Sequence, residues 1–268
     1  MSISKYKLYK GAWIYMGAPH TSFLLSKKAS LYLLSRGGLF VRNDYDFDTS
    51  EKTCFWYIIK DSFGGMEELS TKVRNQVRRA LKTLDIKIIE KEKILEEGYA
   101  IFLLAYKNYK IKSNKLLSEK EFVAWINSCG LGYQFWGCFD KESRNLVAFS
   151  VNHIFENQCN YEAFKANPKY FQGYYPFYGL LYEMNRYYLE EMKLLYVCDG
   201  ARSITEHSNI QPFLEEKFKF RKAYCKLLIT YTWWFEPFIK ILFPFRNYIH
   251  NIKIKSLLYQ ETMARRIR

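Results

Sequence analysis

Apolar residues return along this chain in two rhythms, one every three or four positions and one every second position. From Met66 to Leu84 the first rhythm is sustained by Leu69, Val73, Val77, Ala80, Leu81 and Leu84, the spacing of one helix face. Glu67 and Glu68 stand at its start and Arg78, Arg79 and Lys82 near its end, which suits a helix dipole. Helices are likewise predicted from Lys93 to Tyr109 and from Ser118 to Cys129, where Ser118 and Glu121 have capping-box spacing and Gly130–Gly132 ends the run. Pro176 begins a further helix to about Met192, and Asn209–Phe218 forms a short one.

Apolar, β-branched and aromatic content predicts short strands at Trp13–Tyr15, Ser30–Leu34 and Cys54–Ile59, and D-I-K-I-I-E at Asp85–Glu90 reads as another. Tyr133–Asp140, Asn145–Ile154 and Asn160–Lys165, joined by turn sequences, read as an antiparallel meander. Leu194–Cys198 is a strand that ends in Asp199-Gly200, and Arg221–Thr232 is the last strand. This order predicts an α/β (α+β) protein with a mixed central sheet, an antiparallel meander and flanking helices, and excludes a doubly wound or barrel arrangement. No repeat and no Gly/Ser/Pro-rich linker divides the chain. Residues 1–232 are therefore expected to form one domain and 233–268 a basic, amphipathic appendage.

Composition narrows the class. With 49% hydrophobic residues, 23 Tyr and 21 Phe among 268 residues, the chain has the material of an ordered core. Its six cysteines include no C-x-x-C pair, so reduced thiols are expected rather than a disulfide framework. Met1–Lys10 is unlike a secretory signal, and Leu227–Phe245 is interrupted by Glu236, Pro237, Lys240 and Pro244, which argues against a span. A cytoplasmic protein is expected, with membrane association at the inner face left open. The net charge of +14 implies an anionic partner: a nucleic acid, a phosphorylated small molecule or an anionic membrane.

Two stretches carry a family resemblance. S-T-K-V-R-N-Q-V-R-R-A-L-K at Ser70–Lys82 is similar to an Arg-rich helix of FemABX-like proteins and related GNAT-domain proteins of cell-surface polysaccharide loci. L-L-Y-V-C-D-G-A-R-S-I at Leu194–Ile204, followed by N-I-Q-P-F-L-E-E-K-F-K-F-R-K-A-Y at Asn209–Tyr224, resembles the closing strand-helix-strand of that group. With the order of elements, the resemblance covers about residues 55 to 232. It implies a GNAT-like fold with a splayed sheet that transfers an acyl group to an amine. The donor is acetyl-CoA in the wider fold and an aminoacyl-tRNA in the Fem branch. The family's R-x-x-G-x-[GA] phosphate loop corresponds here to K-Y-F-Q-G-Y-Y-P-F-Y-G, in which only Gly173 is in range and Lys169 replaces the arginine.

Such transfer needs a polarised carbonyl, a group to take the amine proton and a site that holds both substrates. Glu162 on the third meander strand is a candidate base; its plain alternative is a solvent-facing carboxylate. His153, on the middle strand, is a second candidate base or else a structural histidine, and His207 has similar standing in a loop. Asp199 lies at a strand's carboxyl end with Arg202 and Ser203 behind it, where ligands gather in open sheets; alternatively D-G only makes a turn and Asp199 pairs with Arg202. Arg74, Arg78 and Lys82 form a stripe that either clamps phosphates or is simply a solvated face.

Lys165, Tyr178 and Asn209 complete the polar candidates for substrate contact. Tyr178 and Tyr182 share a helix face that lines an acceptor cleft or packs in the core. No His/Cys/Asp/Glu spacing suits a metal, and none is expected. The tail from Trp233, with Lys240, Arg246, Lys253, Lys255, Arg265, Arg266 and Arg268, suits either an anionic membrane or packing against protein. The resulting reading is an acyltransferase acting on an amine of a cell-envelope precursor. A non-catalytic nucleic-acid or tRNA-binding module and a degenerate GNAT scaffold remain the alternatives.

Overall fold

The computed structural model describes residues 3–108, 116–203 and 210–265. In chain order these form β1 (Tyr6–Tyr9), β2 (Ala12–Tyr15), α1 (Lys27–Ser35), β3 (Phe40–Tyr45), β4 (Phe55–Lys60), α2 (Thr71–Thr83) and β5 (Leu84–Ile89). Next come α3 (Lys91–Lys93), a π turn (Ile94–Gly98), α4 (Tyr99–Lys107) and α5 (Glu119–Ser128). The meander is β6 (Tyr133–Asp140), β7 (Leu146–Phe155) and β8 (Gln158–Ala166). It is followed by α6 (Pro176–Arg186), which a π turn at Tyr187–Glu191 prolongs, and then by β9 (Tyr196–Ala201), α7 (Ile210–Phe218), β10 (Arg221–Tyr231), α8 (Phe235–Leu242) and α9 (Ile252–Arg265).

Three sequence expectations need correction. Ser30–Leu34 is not a strand but part of α1, whose start is capped by Ser26 accepting from the Ala29 amide and whose buried Ser30, Leu33 and Leu34 follow helical spacing. Helix α2 starts only at Thr71, because the Ser70 side chain accepts from Val73 N and fixes the boundary there. Glu67 and Glu68 therefore precede the helix, and Glu68 instead holds the buried ammonium of Lys60 at 2.8 Å. Asp199-Gly200 is not a turn: β9 runs through both residues to Ala201, with Gly200 at φ +91, a backbone state only glycine adopts without strain.

The chain divides into two compact units, one holding residues 3–57, 201–203 and 222–265, the other 58–108, 116–200 and 210–221. In the first, β1 pairs antiparallel with β2, β2 parallel with β3, and β3 antiparallel with β10. Its main core joins Phe40, Phe55, Leu227 and Ile229 to Phe235, Ile239, Leu258 and Met263 of the C-terminal helices. The buried side chain of Asn43 accepts from Leu25 N and donates to Tyr6 Oη and the Phe23 carbonyl, so a polar group in that interior is satisfied.

In the second unit β5, β6, β7 and β8 pair antiparallel in sequence order, and β9 joins β8 in parallel. Strand alternation sends Phe135, Phe139, Phe149 and Val151 into a core with Ile101, Phe102, Phe122 and Ile126 of α4 and α5. The alternate residues face α6. Close approach of α2 and α6 depends on Gly179, where an added Cβ would collide with Ile86 and lie 3.0 Å from Ala80 Cβ. This is the mixed sheet, meander and helical cover expected from the sequence.

A buried polar network locks α6 and its π turn onto the meander. Tyr188 Oη donates to Gln134 Oε1 at 2.7 Å and accepts from Trp136 Nε1 at 2.9 Å and Asn152 Nδ2 at 3.0 Å; Asn152 Oδ1 in turn accepts from Ser150 Oγ at 2.7 Å. Removing the hydroxyl strands several buried partners at once. Tyr188→Phe should therefore lower stability by about 1–3 kcal/mol with the fold retained, read as a lower denaturation midpoint with unchanged far-UV circular dichroism; an unchanged midpoint would contradict this role.

Candidate active site

The second unit opens where β8 and β9 part. Their parallel pairing covers only Gln158 with Tyr196, Cys159 with Val197 and Asn160 with Cys198. Beyond it, Tyr161–Ala166 of β8 and Asp199 of β9 have no pairing with one another, although both strands continue. Backbone groups on the facing edges are left to be satisfied from outside the sheet.

At the same point β8 carries a bulge. Val151 pairs with Ala163 but Asn152 with Tyr161, so Glu162 is the extra residue. Tyr161 faces α6, where its hydroxyl donates to Asn185 Oδ1 at 2.8 Å. Glu162, the next residue, points to the other face, toward the start of β6. There Tyr133 Oη donates to Glu162 Oε1 at 3.2 Å and His153 Nδ1 lies 3.6 Å from the same oxygen. Tyr133 and His153 oppose each other in the β6–β7 register and stack at 4.2 Å with nearly parallel rings.

Glu162 is an exposed residue whose side chain is 27% exposed, and the partial desolvation of its carboxyl raises it above its ordinary value, partly opposed by the Tyr133 hydrogen bond. Burial lowers the His153 imidazole, which favours its neutral form. Tyr133 is pushed up to about 12 by burial and by the neighbouring carboxylate, so it remains a donor. The geometry assembles two of the three expected catalytic candidates, Glu162 and His153, and adds Tyr133.

Asp199 stands on β9 just past the last paired residue, half-buried. Burial pushes its carboxyl up to about 7, against the opposing effect of a hydrogen bond with Gln211 on α7. It is thus a carboxyl that keeps its proton close to neutral pH. Beside Tyr161, Asn185 is buried with its Nδ2 lacking a hydrogen-bond partner.

The loop before α6 holds the positions expected to meet donor phosphates. Gly173 has φ +86 with open space at its Cβ position, and its carbonyl accepts from Arg79 Nε at 3.1 Å. Lys169 is exposed within a short turn, where its amide donates to Asn167 Oδ1. Tyr175, in the left-handed conformation, precedes α6 without capping it by a side chain. An 11-residue helix so begun presents the positive end of its dipole. These features suit an anion, and the exposed Arg79 side chain is tied to the same loop.

Other expected residues are occupied structurally. Arg74 does not extend the cationic stripe outward: Nη2 donates to the Leu69 carbonyl at 3.2 Å and Nη1 lies 3.7 Å from Glu67. Arg78 and Lys82 are exposed. Tyr178 packs against Phe213 and Phe218, and Tyr182 against Phe63. Lys165 places its ammonium 5.7 Å from the Phe102 ring centroid.

Arg202 and the exposed Ser203 belong to the first unit. There the Arg202 guanidinium lies 4.1 Å from the Trp56 ring centroid and donates to the Cys54 carbonyl and Tyr259 Oη. Asn209 and His207 lie outside the described residues. Among the described residues no group of His, Cys, Asp and Glu is arranged to hold a metal. Sequence reasoning missed Tyr133, Gln211 and Arg79; only Tyr133 had a usable signal, because the meander register sets it opposite His153.

Three solved structures share this fold. FemX aligns over 81% of this chain and 81% of its own, at 9% identity and a TM-score of 0.55. L-PGS from Bacillus licheniformis aligns over 97% of this chain and 85% of its own, at 11% identity and a TM-score of 0.54. The C-terminal domain of a putative lysylphosphatidylglycerol synthetase from Agrobacterium fabrum aligns over 84% of this chain and 79% of its own, at 9% identity and a TM-score of 0.51. At such identities the likeness is one of fold, and the fold is the GNAT/FemABX-like one expected from the sequence. No protein-family model and no curated sequence matches the chain.

The raised Asp199 carboxyl has a stability consequence. Below 3.8 both folded and unfolded chains hold the proton; between 3.8 and about 7 only the folded chain does, so this group's stabilising contribution is lost as pH rises through that window. Asp199→Asn removes the titration. Its melting temperature relative to the parent should climb from the acid to the alkaline side of the window, and a pH-independent difference would contradict the assigned burial.

Proposed function

We propose that the chain is an acyltransferase that moves an acetyl or aminoacyl group from a CoA or tRNA donor to an amine of a cell-envelope or polysaccharide precursor. The observation that carries this reading is the parting of β8 and β9 beside a bulged carboxylate. An extended donor arm that enters the gap meets unpaired strand edges on both sides, with the Glu162 carboxyl on one face of the sheet and the Asp199 carboxyl on the other. The FemX-like fold supports the same class of chemistry.

In the reaction the acceptor nitrogen attacks the acyl carbon, an N–C bond forms, and the C–S bond of a thioester or the C–O bond of an aminoacyl ester breaks. Glu162, ionised and oriented by Tyr133, takes the proton that the attacking amine sheds, directly or through one water. Neutral His153 fixes the Tyr133 ring by stacking. Asp199, protonated near neutral pH, gives its proton to the leaving thiolate or alkoxide. The protons then exchange with solvent, which restores both carboxyls. Donor phosphates are held at the start of α6 by the helix dipole, Arg79 and Lys169. The unpartnered Asn185 Nδ2 supplies a further donor beside Tyr161.

A second reading, a non-catalytic tRNA-binding module, is favoured by the exposed Arg78 and Lys82 on α2 together with the net charge of +14. The two readings differ in turnover. With acetyl-CoA or aminoacyl-tRNA and a panel of amino-sugar and peptide amines, the enzyme reading expects thiol or tRNA release that depends on the amine. Glu162→Gln should slow it by about 10²-fold or more.

The rate should follow a bell in pH. Its acid limb should lie above 4.5, set by Glu162 losing its proton, and its alkaline limb near 7, set by Asp199 losing its own. Glu162→Gln should abolish the first limb and Asp199→Asn the second. RNA binding that weakens steeply with salt, with no turnover of either donor, would instead establish the module.

A further inference from the structure

We propose that α8 and the turn behind it dock the protein on an anionic bilayer surface. Helix α8 buries only Phe235 and Ile239 in the core of its unit. Trp234, Phe238, Ile241 and Phe245 recur at intervals of four, three and four, and so stand in one row along the helix and the turn that follows it. They are 53%, 46%, 66% and 57% exposed, and Trp233, Tyr248 and Ile252 beside them are 85%, 78% and 70% exposed. A contiguous apolar row of this kind marks an interaction surface rather than ordinary scatter.

Charge selects the occupant. From residue 233 onward the sequence sets Lys240, Arg246, Lys253, Lys255, Arg265, Arg266 and Arg268 against two acids, Glu236 and Glu261. Both acids are engaged within the fold: Glu236 holds Lys240 at 2.8 Å, and Glu261 holds Arg265 and Tyr231 Oη, each at 2.8 Å. Lys253 and Lys255 are exposed directly after Ile252. A second copy would bring this cationic excess against itself. An anionic lipid surface accepts it and gives the aromatic row a medium, with Trp233 and Trp234 suited to the boundary between headgroup and acyl chain.

At eight residues α8 spans ~12 Å, far short of a hydrocarbon core, so it lies in the plane of the surface. Among the described residues no helix is long and apolar enough to cross a membrane. The docking surface is independent of the transfer chemistry, and either can fail without the other.

The test is co-sedimentation of the full chain with vesicles of equal parts phosphatidylglycerol and phosphatidylcholine, compared with phosphatidylcholine alone. Binding to the mixed vesicles should exceed binding to the neutral ones by roughly tenfold and be accompanied by a blue shift in tryptophan emission. The double variant F238E/I241E should lose binding by roughly tenfold or more, and K253E/K255E should lose it comparably. Both should keep the parent's melting temperature, because all four side chains are exposed. Three results would each overturn the proposal: a parent chain that stays in the supernatant, an F238E/I241E chain that binds as the parent does, or a parent dimer that this variant converts to monomer. Oligouridylate binding by the parent that F238E/I241E abolishes, without vesicle binding, would assign the face to RNA instead.

Discussion

Everything proposed for the second unit depends on one early end to a hydrogen-bond ladder. Parallel strands β8 and β9 pair at three positions and then part, although each continues as a strand. Unpaired backbone groups carry a cost when buried, so a gap of this kind is stable only where solvent or a ligand supplies the missing partners. The bulge at Glu162 lies next to the last paired residues of β8, and the Asp199 carboxyl stands at the equivalent point of β9. Glu162 and Asp199 thus flank the parting from opposite faces of the sheet, Glu162 at the bulge in β8 and Asp199 on β9.

Their environments differ. Glu162 keeps a phenol donor and an imidazole whose burial disfavours its charged form close by, and its ionised form is supported by a hydrogen bond. Asp199 sits in a more deeply desolvated place with a single amide for company, and its proton is held to about pH 7. The proposed transfer asks that Glu162 lose its proton at a lower pH than Asp199 does. The Arg-rich helix α2 contributes less directly than its sequence suggests. Arg74 ties down the segment before the helix, whereas Arg79 reaches the Gly173 carbonyl in the loop that leads to α6.

The meander was legible because its three strands are apolar and aromatic runs joined by short turn sequences. The helices α2, α5 and α6 were legible through spacing and caps. What misled was local. Ser30–Leu34 is rich in strand formers, yet Ser26 caps it as a helix; Asp199-Gly200 is a common turn pair, yet the glycine lets β9 continue. Glu162, His153 and Asp199 were accessible as strand carboxylates and a strand imidazole, but the place of Glu162 beside Tyr133 and His153 depends on a bulged β7–β8 register that alternation alone does not display. Gln211 and Arg79 were hidden because their partners are distant in sequence. Tyr178 and Arg202 had the right chemistry for substrate and are spent on packing and on a carbonyl, which only the tertiary contacts reveal.

The central claim, that the gap between β8 and β9 is where the donor enters, is tested most directly by amide hydrogen exchange with and without a saturating, non-reactive CoA thioether or aminoacyl-tRNA amide. The account predicts slowed exchange concentrated at Tyr161–Lys165, Asp199 and Gly200, with the meander's paired interior unchanged. Donor binding that leaves those amides exchanging at their free rate, and protects a different surface, would contradict it.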